Sequence, residues 1–182
     1  MIRAYLVGSK VIVTNIEDAK YLYSNGFYGK PLGIPKPKSV KDITRPLELS
    51  LIESVYLVKK GLIEVISKNG DVLEYKKLYE YGLQTIDKFD IMYRVYEDLR
   101  EKGFIVRSGI KYGADFAVYT LGPGLEHAPF IVITLDIDQD LTPHELLSFG
   151  RVSHSTRKRL VLGLVDRKNA SVRYIMFKWV KL

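Results

Sequence analysis

The turn Gly122-Pro123-Gly124, set between the apolar runs Phe116 to Thr120 and Phe130 to Asp136, constrains this chain more than any other feature. Each run has the length and β-rich composition of a strand, and glycine and proline together break regular structure between them. Side chains alternate along a strand, so Phe116 and Val118 share one face while Ala117 and Tyr119 share the other. Tyr119 falls just before the turn and His127 just after it, which brings a phenol and an imidazole to one end of the sheet.

The segments around this turn are those of a small α/β unit. Upstream, Thr85 or Asp87 caps a helix whose apolar face is Phe89, Met92, Tyr93, Tyr96 and Leu99, stopped by Gly103, and Phe104 to Arg107 follows as a strand. Downstream, Thr142 with Glu145 three residues on is a capping box, and Pro143 occupies the first helical position, where no amide partner is needed. That helix is expected to end near Arg157. Leu160 to Val165 then reads as a buried strand, and Val172 to Val180 as a last strand that leaves an open edge for another subunit.

The first part of the chain carries a second, separate pattern. Ala4 to Val7 and Val11 to Val13 form a hairpin around Gly8-Ser9-Lys10, and Asn15 caps a helix from Ile16 to Ser24. Leu47 to Lys60 is expected to be helical and Leu62 to Tyr75 a hairpin about Asn69-Gly70, with a short helix from Lys77 to about Gln84. Residues 30–46 hold Pro31, Pro35, Pro37 and Pro46 among Lys and Arg with no period, and read as an exposed basic loop. The expected fold is α+β in two small domains: residues 1–84, an antiparallel sheet with helices, and residues 85–182, a mixed-sheet domain.

Composition narrows the chemistry. With no cysteine among 182 residues, disulfides, thiolate metal sites and cysteine nucleophiles are excluded, and a reducing compartment, the cytoplasm, is expected. The net charge of +7 suits a polyanionic partner. No apolar run reaches the roughly 20 residues of a membrane span, and the first residues read as a strand, not an export signal.

Three groups could carry proton-transfer chemistry: Tyr119, His127 and, beyond the second helix, Lys158. Arg151, Ser155 and Lys158 are spaced to share one positive helix face, which would suit a phosphodiester; the same cations could simply complement the helix C-terminus. Tyr119 taken alone reads more simply as a packing residue. His154 and His144 compete as imidazoles, the first as a packed or capping residue and the second as a solvated one. Asp71, Glu74 and Lys76 weakly imitate a magnesium-dependent DNA nuclease, and Asp136, Asp138 and Asp140 form an acidic loop. Both are more simply a hairpin and a helix entry, so no metal or cofactor is expected.

Three passages in order, Gly109-Ile-Lys-Tyr-Gly-Ala-Asp-Phe-Ala-Val-Tyr119, Glu126-His-Ala-Pro-Phe-Ile-Val132 and Arg151-Val-Ser-His-Ser-Thr-Arg-Lys-Arg-Leu-Val161, resemble the archaeal tRNA-splicing endonucleases. The resemblance is strongest from Asp87 onward and extends to Asn25-Gly-Phe-Tyr-Gly29 and Leu49 to Leu57. It implies that Tyr119, His127 and Lys158 are a catalytic triad that cuts RNA without metal, leaving a 2′,3′-cyclic phosphate and a 5′-hydroxyl. It implies further that Arg151 and Arg173 sandwich a flipped base, and that the substrate is precursor tRNA folded as a bulge–helix–bulge. The chemistry agrees: a base for the 2′-hydroxyl, an acid for the leaving 5′-oxygen, and a cation for the crowded phosphorane. His127 suits the acid, and Tyr119 the base if neighbouring cations lower its pKa.

In homo-oligomeric members an acidic loop before the last strand enters a partner's basic groove, whereas here it reads Asp166-Arg-Lys-Asn169. The resemblance therefore implies a second, non-catalytic homologous subunit and a heterotetramer with two copies of each chain. It also implies that the basic loop of residues 30–46 contacts RNA. The alternative from another class is a non-catalytic RNA-binding or scaffold subunit of the same assembly.

Overall fold

In the computed structural model, which describes residues 1–34, 37 and 39–177, the chain forms two compact units that divide between Phe89 and Asp90. The expected boundary after Gln84 falls earlier, at the end of a helix that the first unit keeps.

The first unit holds β1 (Ile2–Val7), β2 (Lys10–Val13), α1 (Ile16–Ser24), β3 (Lys30–Pro31), β4 (Leu47–Ser50), α2 (Leu51–Lys59), β5 (Ile63–Ile66), β6 (Val72–Leu73) and α3 (Tyr75–Thr85). The sheet order is β3-β4-β2-β1-β5-β6. The pairs are antiparallel except β1–β5, which is parallel, so the sheet is mixed where an antiparallel one was expected. The reason is that α2 returns the chain across the sheet before β5, which lets β5 run beside β1 in the same sense.

Sequence reading placed a helix from Leu47. The structure instead begins with a strand, because Leu47 and Leu49 are buried while Glu48 and Ser50 are half-exposed, a period of two. Ser50 then starts α2 as its N-cap: its Oγ accepts the Glu53 N–H at 3.2 Å, and Glu53 Oε2 accepts the Ser50 N–H at 2.9 Å. The second Glu53 oxygen accepts the Gly29 N–H at 3.0 Å. The basic segment 30–46 also departs from an exposed loop. Lys30 and Pro31 pair with β4, the Leu32 N–H donates to Pro46 O at 2.9 Å, and Ile43 is fully buried. Pro35, Lys36 and Lys38 lie outside the described residues.

The second unit holds α4 (Phe89–Glu101), whose first residue closes the first unit, then β7 (Ile105–Ser108), β8 (Phe116–Tyr119), β9 (Phe130–Asp136), α5 (Pro143–Thr156), β10 (Arg159–Asp166) and β11 (Ser171–Phe177). Its five strands run in the order β11-β10-β9-β8-β7. Only β9–β10 is parallel, joined through α5. On the α4 side, the Tyr96 and Phe116 rings meet at 5.9 Å. Gly163 lets Val95 approach so closely that a Cβ there would stand 3.0 Å from it. On the α5 side, Phe149 and Val152 pack on Ala114, Ile131 and Leu160. β8 is thus covered on both faces and all four of its residues are buried. The expected last strand reaches Phe177 within the described residues; Lys178 to Val180 lie beyond them.

β11 is tied to α4 by the Tyr174 hydroxyl, which donates to Asp98 Oδ2 at 2.5 Å. Burial, with the carboxylate of Asp98 beside it, pushes this phenol far up from the ordinary tyrosine value.

Candidate active site

Tyr119 ends β8 on the α5 side of the sheet, in a buried cluster with Ala117 and Ala128. It is 8% exposed, so only an edge of the phenol meets solvent. Burial, then the neighbouring Tyr112, pushes its pKa up, while Lys111 and Arg107 pull it down less strongly. Desolvation of the phenolate at the closed end of a strand outweighs these two cations, so Lys111 and Arg107 do not by themselves meet the condition on which Tyr119 would serve as base.

His127 is exposed on the other side of the turn. The chain between the two residues is closed by a carboxylate. Glu126 accepts the N–H groups of Thr120 at 2.5 Å and Leu121 at 2.6 Å, and the Thr120 hydroxyl at 3.0 Å. The Leu125 and Glu126 N–H groups donate in turn to Gly122 O, each at 3.2 Å. Gly122 and Gly124 take φ of 121° and 88°, values natural to glycine. The residue after Tyr119 and the residue before His127 are therefore joined by one side chain.

Lys158 does not lie on the helix face with Arg151 and Ser155, as its spacing suggested. Helix α5 stops at Thr156, and Arg157 adopts the left-handed conformation (φ 52°, ψ 35°) as its C-cap, so the chain turns before Lys158. Ser153 Oγ donates to Lys158 O at 2.9 Å and holds that turn. The half-buried Lys158 side chain then runs back into the sheet end. Its Nζ donates to Ala128 O at 2.8 Å and stands 4.9 Å from the centre of the Tyr112 ring.

Tyr112, inside the passage Gly109 to Tyr119, has no role that the sequence alone points to, and it is the residue on which the site converges. Its ring packs on the Ala117, Tyr119 and Ala128 cluster and carries Lys158 on its face, with Lys111 Nζ 4.6 Å from the ring centre. The available signal was Gly109 and Gly113 around it. Residues Ile110–Tyr112 form a single 3-10 turn, Gly113 has φ 74°, and a Cβ on Gly109 would stand 2.6 Å from the Phe116 backbone. Asp115 secures the other end of this motif: its Oδ2 accepts the N–H of the fully buried Thr134 at 2.7 Å and its hydroxyl at 2.8 Å.

Tyr119, the main chain beside His127, and Lys158 thus come together around Tyr112. The other candidates lie on α5 and β11. Arg151 is exposed on α5, and Arg173 is exposed on β11, paired in register with Leu164. His144 and His154 are exposed on α5. Among the described residues no three His, Asp or Glu side chains converge as a metal-holding set, including Asp71 with Glu74 and the Asp136 to Asp140 loop. The turn before β11 is engaged by its own unit: Arg167 pairs with Asp136 at 3.0 Å and Lys168 with Asp138 at 3.2 Å.

Residues 89–174 match the tRNA intron endonuclease catalytic C-terminal domain, and residues 2–79 match the tRNA intron endonuclease N-terminal domain. A tRNA-splicing endonuclease of Saccharolobus islandicus is 78% identical over 182 residues, the whole of both chains. That of Saccharolobus solfataricus is 76% identical over the same span. That of Sulfurisphaera tokodaii is 60% identical over 177 residues, 97% of this chain and 98% of its own. With both domains matched in order and relatives of this identity along its full length, the chain belongs to the tRNA intron endonuclease family.

Proposed function

We propose that this chain is the catalytic subunit of a tRNA-splicing endonuclease that cuts precursor tRNA at bulge–helix–bulge sites without metal. The observation that carries the reading is the bond from Lys158 Nζ to Ala128 O, which ties the ammonium to the residue following His127. That same ammonium lies over a ring packed on the Tyr119 cluster. A phenol, an imidazole and an ammonium at one sheet end are the three groups that internal transesterification of RNA requires.

In this mechanism the ribose 2′-oxygen attacks phosphorus as its proton leaves to a base. The bond from phosphorus to the 5′-oxygen then breaks as an acid supplies a proton to that oxygen. The products are a 2′,3′-cyclic phosphate and a 5′-hydroxyl, with no net proton consumed. Tyr119 and His127 divide the two transfers, and Lys158 neutralises charge on the phosphorane. Burial raises the Tyr119 pKa, so its service as base requires positive charge beyond Lys111 and Arg107. The exposed guanidinium groups of Arg151 and Arg173 are suited to stacking on an unpaired base.

The assembly is a heterotetramer with a homologous non-catalytic subunit, working in the cytoplasm. Its support is the turn at residues 166–169, which is net basic and whose Arg167 and Lys168 pair within the same unit. Such a turn is not the acidic plug that self-insertion uses.

The test is cleavage of a bulge–helix–bulge RNA in EDTA, with and without the partner subunit, by the native chain and by His127→Ala. Cyclic-phosphate ends that depend on His127 support the proposal. RNA bound but never cut by the complete assembly would favour a scaffold subunit instead.

A further inference from the structure

We propose that Tyr112 is a positioning residue whose ring face holds the Lys158 ammonium in place for the scissile phosphate; the inference rests on the catalytic reading of Lys158 above. A lysine side chain ends in a point charge on a flexible stem, and ordering it costs up to about 2 kcal/mol of rotamer entropy. Something must fix it if it is to meet charge that develops at one place.

Two contacts do so. Ala128 O takes one of the three ammonium protons at 2.8 Å, and the Tyr112 ring receives the cation on its face at 4.9 Å. An ammonium has three N–H bonds, so with one on the carbonyl and one toward the ring, the third is left for a phosphate oxygen. The ring itself is well held. The Tyr112 N–H donates to Gly109 O at 2.8 Å, the Gly113 N–H to Ile110 O at 3.0 Å, and the ring packs against two buried clusters of the sheet. The stem of Lys158 is fixed at its root, where the Arg159 N–H donates to Pro129 O at 3.2 Å. Tyr112 thus packs between the Tyr119 cluster and the ammonium of Lys158. Its contribution is the electron-rich face, not its hydroxyl.

This role separates from simple packing by changing the ring's electrostatics at constant shape. In the assembled enzyme, position 112 is replaced with phenylalanine, 4-fluorophenylalanine and 3,4,5-trifluorophenylalanine, and alongside these with leucine. Single-turnover cleavage of a bulge–helix–bulge RNA and RNA affinity are then measured. Tyr112→Phe is expected to recover most of the rate that Tyr112→Leu loses. The cleavage rate should fall stepwise with fluorination, about 3- to 30-fold across the series, as a cation–π contact of ordinary strength requires. RNA affinity should change little.

The same series in a Lys111→Ala background, which removes the other cation near this ring at 4.6 Å, should fall by the same steps. A rate independent of fluorination, in an enzyme that Lys158→Ala inactivates, would overturn the platform while leaving the proposed function intact. A Lys158→Ala enzyme that cleaves at the native rate would overturn the catalytic reading of Lys158, and the platform with it. The fluorinated rings keep the native volume, so the comparison does not depend on whether Tyr112→Leu folds.

Discussion

The Glu126 carboxylate holds the main-chain N–H of Thr120 at 2.5 Å and closes the loop that separates Tyr119 from His127. The Leu121 N–H above all, with the Thr120 hydroxyl and N–H, keeps its carboxyl below the usual range against some desolvation. A depressed carboxyl contributes order above its unfolded pKa, near 4.3, and loses it as pH falls through the folded value. Protection of the Thr120 and Leu121 amides, taken against the intrinsic exchange rate at each pH, should therefore be high at pH 6 and be lost in acid as that carboxyl takes up a proton. Glu126→Ala should leave both amides unprotected at every pH and cleave about 10- to 100-fold more slowly, as a small misplacement of reacting groups does. Protected amides in Glu126→Ala would refute the clasp.

Tyr119 should be among the last phenols to ionise. Its pKa is pushed up by burial and by Tyr112, so ultraviolet titration of the native chain should show absorbance still rising above pH 10, and Tyr119→Phe should remove part of that late rise. Should the difference between the two proteins instead develop below pH 10, the phenol is not held up.

The contact of Tyr174 with Asp98 sets an alkaline limit on stability. Because burial and the adjacent carboxylate raise this phenol, its contribution is complete below the unfolded value of about 10 and declines as pH rises above it. Tyr174→Phe should cost about 1 kcal/mol at pH 7 through the lost charge-assisted hydrogen bond. Its urea midpoint should also depend less on pH between 9 and 11 than that of the native chain. Equal slopes would mean that the contact is not formed in solution.

Gly109→Ala should destabilise the chain by about 1 to 3 kcal/mol, the range for overpacking against an unyielding neighbour. The added carbon would stand 2.6 to 2.7 Å from Phe116 main-chain atoms, which cannot rotate away as a side chain end can. Thermal unfolding measures the cost.

Asp115→Ala should cost about 2 kcal/mol by stranding the buried N–H and hydroxyl of Thr134. Adding Thr134→Val removes the stranded hydroxyl and should recover part of the loss. No recovery would locate the cost elsewhere in the Asp115 environment.

Much of the second unit is legible in sequence because local and global signals agree there. The Thr142 capping box, the β8 alternation and the apolar run of β10 each state one structure. Residues 47–60 misled because a strand and a helix abut with no turn between them; the deciding signal was Ser50 with Glu53, a capping box inside an apolar run. The candidate site was half legible. Residue types and motif order marked Tyr119, His127 and Lys158 as candidates, but the approach of Lys158 to the Tyr112 ring is a contact over 46 residues of chain, from 112 to 158, which no local pattern encodes. The raised Tyr119 pKa was hidden for the same reason: charge is visible in sequence, and desolvation belongs to the packed fold.

The parallel pairing of β9 with β10 sets when the contact of Lys158 with Ala128 can form. Lys158 reaches the Ala128 carbonyl only once β10, which begins at Arg159, has crossed back through α5 and paired beside β9. During synthesis Tyr112, Tyr119 and His127 are all made before Lys158, and β10 follows it. An emerging chain therefore lacks this contact until β10 has been made and paired.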